Sequence, residues 1–111
     1  MRLTIILTRT PHASRTLETY VKLALLACSR EHSVAVYLVG DGVYCARKGQ
    51  NSANYLERLS KFGGELFLRK EDIEARGLDV DKLIEEVEVP VDFYGKLVDD
   101  IMEKSDRVIS L

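Results

Sequence analysis

At 111 residues the chain has room for a single domain, 1–111, and none for a second. Hydrophobic residues make up 46% and charged residues 31%, with only two prolines, a balance that excludes a disordered or low-complexity chain. The net charge of −2 points to no particular partner, and no apolar run approaches the ~20 residues of a bilayer span.

The elements alternate between strand and helix patterns. "LTIILT" (3–8) and "VAVYLV" (34–39) are near-continuous apolar runs rich in β-branched residues, as expected of central strands covered on both faces. The first is too short for a signal-peptide core and runs into Arg9, so a cytoplasmic location is expected. Between these strands Leu17, Tyr20, Val21, Ala24, Leu25 and Cys28 recur at helical spacing. Leu23, Leu26 and Ala27 widen that stripe into what reads as a deeply buried face, and Ser14 is placed to cap the start after Pro11.

"GDGVYCARKGQNS" is a glycine-rich loop with room for one helical turn over 43–47. "SANYLERLSKFGG" predicts a helix with Tyr55, Leu56, Leu59 and Phe62 on one face, stopped at Gly63. "ELFL" (65–68) is a third strand, "KEDIEAR" a short helix ended by Gly77, and "DVDKLIEE" a further turn. "VEVPV" (87–91) predicts a fourth strand, kept at an edge by Pro90, which has no N–H to donate. The last helix, capped by Asp92, is expected to bury Tyr94, Leu97, Val98, Ile101 and Met102 before a fifth strand in "RVISL". The fold class is therefore α/β: a three-layer α/β/α sandwich around a predominantly parallel five-stranded sheet.

Charge is partitioned along the chain. Residues 1–70 hold eleven Lys/Arg against five Asp/Glu, whereas 71–111 hold five against thirteen. In parallel α/β sheets ligands bind beyond the carboxyl ends of the strands, and Arg9 with Arg15, Arg47 with Lys48, and Arg69 with Lys70 fall at three such exits. Two readings stand: ordinary solvated loops, or a rim attracting an anion or an acidic partner. Without interleaved aromatics or an RNA-binding signature, direct nucleic-acid recognition is not expected. The acidic half is either a solvated face or a surface for the basic half of another copy.

"GDGVYCARKG", followed by "KEDIEARGL", with "TIILT" ahead and "DRVIS" behind, resembles the DsrE/DsrF/DsrH family of small sulfur-relay proteins, which includes the TusB, TusC and TusD subunits. The "EDIEARGL" form is most similar to the DsrH or TusB branch. The resemblance implies an α/β subunit that assembles with itself or with DsrE- and DsrF-like relatives and needs no cofactor. It implies a place in tRNA 2-thiouridine formation or sulfur oxidation, where cysteine-bearing members pass persulfide sulfur between carriers. In those members the cysteine lies eight positions before the glycine of the "ARG" turn, which here is Arg69, and Asp72 matches a second cysteine of some relatives. A guanidinium forms no persulfide.

Two thiols remain, without CxxC spacing or His pairing, so reduced states are expected and neither a disulfide framework nor a metal site is. Cys28 lies on a helical apolar stripe and reads as a core thiol. Cys45, close to Arg47 and Lys48, is either a packing residue or a relocated persulfide carrier, with no neighbouring base for the second role. His12 and His32 fall at opposite strand ends, and Asp41 reads as a turn residue. Gly77 suits a positive φ, and Arg76 has Asp72 one helical turn away. The candidate binding set is thus Arg9, Arg47, Lys48, Arg69, Lys70, Asp72 and Arg76, with Cys45 the one catalytic candidate. The preferred function is a docking subunit of a sulfur relay acting through oligomer assembly, with a sulfur-carrier protein among its possible partners. The alternatives are a Cys45 persulfide carrier and a small-anion or nucleotide-binding module.

Overall fold

A computed structural model describes residues 1–9, 15–30, 32–49 and 51–110, with backbone alone at 15–18, 20 and 51. The strands are β1 (Arg2–Leu7), β2 (Ser33–Leu38), β3 (Glu65–Leu68) and β4 (Arg107–Ser110). They form one sheet in the order β3-β2-β1-β4, and every pairing is parallel. Helices α1 (Arg15–Ser29) and α2 (Asn51–Lys61) follow the first two strands, and α3 (Lys70–Ala75) follows the third. α4 (Phe93–Asp99) continues as a π turn over Asp100–Lys104 into β4.

The strand alternation explains both apolar runs. Val34, Val36 and Leu38 join Ile5, Leu7, Leu66 and Leu68 in the core beneath α1 and α2. Ala35, Tyr37 and Phe67 turn to the other face and meet Phe93 and Leu97 of α4. Each strand thus buries both sides, which is why its sequence shows no polar alternation. The aromatic contacts are close: Tyr37 and Phe67 centroids are 4.9 Å apart, and Phe93 meets Tyr37 edge-on at 5.6 Å.

α2 is polar apart from its inner stripe, and its stability comes from burying Leu56 and Leu59, each contributing about 1.5–3 kcal/mol. Gly63 ends it at φ +92, with the Gly64 amide donating to the Leu59 carbonyl at 2.9 Å. Asp92 caps α4 as expected, its carboxylate accepting from the Gly95 amide at 3.1 Å.

Three expectations are corrected. The sheet has four strands, not five: from 87–91 only Glu88 pairs, its amide donating to Leu66 and its carbonyl accepting from Leu68, both at 2.9 Å. Pro90 two residues later offers no N–H, so the ladder stops there. The stripe of α1 is narrower than predicted: Val21, Ala24 and Cys28 are buried, but Leu23 and Leu26 stand half exposed. α4 is rotated by about one residue, burying Phe93, Leu97 and Asp100 while Tyr94, Val98 and Met102 are 50%, 57% and 76% exposed. The Ser14 cap, the Leu17 and Tyr20 side chains and His12 lie outside the described residues.

Candidate functional site

The carboxyl edge of the sheet is built from the segments that leave β2 and β3. After Val39 the chain turns through a 3₁₀ helix, Gly40–Ala46, whose start is pressed against β1. A Cβ on Gly42 would lie 1.9 Å from the Leu7 carbonyl oxygen, so this position admits only glycine without backbone movement. Arg69 leaves β3 with extended backbone and enters α3, which ends at Gly77 with φ +64.

Asp72 is the centre of the edge. Its buried carboxylate accepts from the Gly40 amide at 3.0 Å and from the Arg69 guanidinium at 3.3 Å. Arg76 reaches the same carboxylate at 3.5 Å, donates to the Asp72 carbonyl at 3.1 Å and binds Asp41 at 3.0 Å. Arg69 also approaches Glu71 at 3.6 Å and lies over the Tyr94 ring, 4.8 Å from its centroid. Two guanidinium groups and three carboxylates therefore form one ion-pair network that ties α3 to the 3₁₀ turn, with Arg69 over Tyr94 reaching α4.

The structure brings Arg69, Asp72 and Arg76 together and sets the other candidates apart. Lys70 faces outward in a 3.8 Å pair with Glu74. Arg47 and Lys48 are exposed on the far side of the 3₁₀ turn, where 46–48 pairs with 82–84 through Lys48 N–H to Lys82 at 2.8 Å and Ile84 N–H to Ala46 at 3.0 Å. Lys48 borders a cleft of about 370 Å³ with Val80, Leu83, Val87 and Val89. Arg9 is exposed, and its carbonyl accepts the Cys45 thiol at 3.5 Å.

Cys45 is fully buried, and burial pushes its thiol up to about 12. The Ser52 hydroxyl holds the Cys45 carbonyl at 3.0 Å. Cys28 is buried too, its thiol raised by desolvation and donating to the Phe62 carbonyl at 3.3 Å. Both are free thiols packed as small apolar groups, with little thiolate at neutral pH.

A second polar cluster at the opposite end of the strands escaped the sequence reading. Asp100, on the buried stripe of α4, takes a two-pronged contact from Arg2, with Nε to Oδ1 at 2.8 Å and Nη2 to Oδ2 at 2.7 Å. The Tyr37 hydroxyl donates at 2.7 Å and Ser105 at 2.9 Å, while Thr4 contacts both Asp100 and the Ser105 hydroxyl. Arg2 goes on to Ser33 at 2.8 Å and Glu65 at 3.1 Å. The Arg2 guanidinium, helped by Tyr37 and Ser105, holds the Asp100 carboxyl well below the usual range. Burial, then the bond to Asp100, raises Tyr37. The only local signal was a carboxylate at a core position, seven residues after Phe93; its partner is 98 residues away.

The family model described as DsrH like protein matches residues 10–107. An uncharacterized protein of Methanopyrus kandleri is 33% identical over 113 residues, covering 96% of this chain and 91% of that one. Among solved structures, the YchN protein of E. coli has a TM-score of 0.79 at 22% identity, over 100% of both chains. A Methanobacterium thermoautotrophicum protein of unknown function has the same score and identity over 99% of this chain and 98% of its own. The structural likenesses carry the fold.

Proposed function

The chain belongs to the DsrH-like protein family, related to the sulfur-relay proteins, and from that premise we propose that it is a docking subunit of a relay rather than a sulfur-transferring one. The observation that carries this reading is the state of position 69. Where the resemblance puts a persulfide cysteine, an arginine is fastened to Asp72 and stacked on Tyr94. Such a network holds two loops and a helix in fixed relation, which is what a recognition surface requires and a nucleophile does not. The partners are further copies of the chain or DsrE- and DsrF-like subunits, in the cytoplasm, with a sulfur-carrier protein as the molecule served. No described helix is long and apolar enough to cross a membrane.

The competing carrier reading needs Cys45 as a thiolate, against its burial and its raised pKa. Incubation of the reduced protein with a cysteine desulfurase and cysteine, followed by intact mass, tests both. The docking reading expects no added sulfur in the wild type, with light scattering showing an assembled species. One reducible sulfur atom, absent only from Cys45→Ala, would overturn it, as would a strict monomer at all concentrations and no capture of a DsrE-like subunit.

A further inference from the structure

The segment that runs beside β3 leaves an open edge. Glu88 makes a single parallel bridge to Phe67 and turns both its amide and its carbonyl to β3. Pleat alternation points the amides and carbonyls of Val87 and Val89 the opposite way, away from the sheet, and among the described residues these groups have no hydrogen-bond partner. The same alternation sorts the side chains. Glu88 shares the α4 face with Phe67, whereas Val87 and Val89 lie on the other side and line the cleft of about 370 Å³ with Val80, Leu83 and Ile84. Asp81 and Glu85 border that cleft too, and Glu86 precedes Val87. All four carboxylates, Asp81, Glu85, Glu86 and Glu88, are exposed, and none is in an ion pair among the described residues. The neighbouring cations are Arg47, Lys48 and Lys82, gathered where 46–48 pairs with 82–84, and Lys96, which lies over the Phe67 ring. Residues 85–89 themselves bring three glutamates and no cation.

We infer that this edge takes an extended segment of another protein in which apolar residues alternate with basic ones. The backbone of the segment bonds to the outward amides and carbonyls of Val87 and Val89, adding a strand beyond the Glu88 bridge. Its apolar side chains enter the cleft, and its lysines or arginines meet Glu86 and Glu88. Pro90 offers no amide, so the added strand is short and the contact reversible. This goes beyond the docking reading, because it stands on 86–89 and not on position 69, and its failure leaves that reading as it was.

The test titrates isotope-labelled protein with a short end-blocked peptide alternating lysine with valine, followed by amide NMR. The Val87 and Val89 amides should move downfield in a saturable way, while the amides of β4 stay in place. A peptide with glutamate for lysine should bind at least tenfold more weakly. Methylating the peptide amides of one edge should abolish binding, and methylating those of the other should leave it intact. Glu86→Lys with Glu88→Lys, at two exposed positions, should reverse the preference between the two peptides. If that variant misfolds by circular dichroism, Glu86→Gln with Glu88→Gln should weaken the lysine peptide severalfold. No shift at Val87 and Val89, equal binding of both peptides, or indifference to amide methylation overturns the inference. So does a shift of the same amides with protein concentration alone, which would assign the edge to a second copy of the chain.

Discussion

Asp100→Asn removes one charge and no volume from the cluster beneath α4, and the structure sets the size of the effect. Oδ1 accepts from Arg2 Nε and Oδ2 from Arg2 Nη2, so whichever way the new amide is turned, its N–H is aimed at a guanidinium N–H. The Tyr37 hydroxyl, fully buried, loses a charged acceptor as well. Arg2 keeps Glu65 and is only partly enclosed, so the loss belongs with buried pairs broken on one side, about 3–5 kcal/mol. That is a large share of the ~5–15 kcal/mol that holds a typical domain together. The pH dependence has a definite sign. A carboxylate whose folded pKa is depressed stabilises fully above its unfolded value of about 3.9 and loses that contribution as pH falls through the folded value. Urea unfolding of wild type and variant between neutral pH and about pH 2 should therefore show a gap that is constant above about pH 5 and narrows below about pH 4. A variant within about 1 kcal/mol of wild type at neutral pH, or a gap indifferent to acid, would refute the assignment of this cluster as a buried charge lock.

Gly42→Ala should lower the denaturation midpoint by an amount equivalent to roughly 1–3 kcal/mol, since its Cβ meets the Leu7 backbone rather than a movable side chain. Asp72→Ala, which strips acceptors from the Gly40 amide and two guanidiniums, should cost about 1.5–3 kcal/mol, whereas Glu74→Ala, in an exposed pair, should leave the urea midpoint unchanged. Both thiols should resist a thiol-specific reagent in the native protein at pH 8 and react together on unfolding; rapid native labelling lost in Cys45→Ala would show an open path to that sulfur.

The sequence made β1, β2, β3 and α2 legible because strands buried on both faces and a helix with one clear stripe leave little choice of period. Asp92, Gly63 and Gly77 were legible for a local reason: each solves a chain-end problem that few residues can solve. The face of α4 was not, because two apolar stripes run along it one residue apart, Phe93–Leu97 and Tyr94–Val98–Met102, and periodicity cannot rank them. The aromatic contact of Phe93 with Tyr37 settles the choice, and that contact is tertiary. Arg69 was named from its strand exit, Asp72 from the family resemblance and Arg76 from its helical spacing to Asp72, but the ion-pair network they share, and Asp41 as the second anchor of Arg76, depend on two loops meeting. Arg2 carried no signal at all, since its partner is 98 residues away. The strand expected at 87–91 failed on a quantity that pattern reading does not weigh, the number of ladder bonds left once Pro90 offers no amide.

The strand order has a consequence for how the protein is made. β1 is made before the other described elements, and it lies between β2 and β4, the latter the last of them to leave the ribosome. Until Arg107–Ser110 arrive, one whole side of β1 offers its amides and carbonyls to any passing strand, and Arg2 waits for Asp100. A nascent chain in that state is a three-stranded sheet with an open flank, prone to pairing with a neighbour on the same polysome. Delayed closure of this kind leaves β1 open to wrong partners until β4 has been made, and makes Arg107–Ser110 a safeguard for Arg2–Leu7.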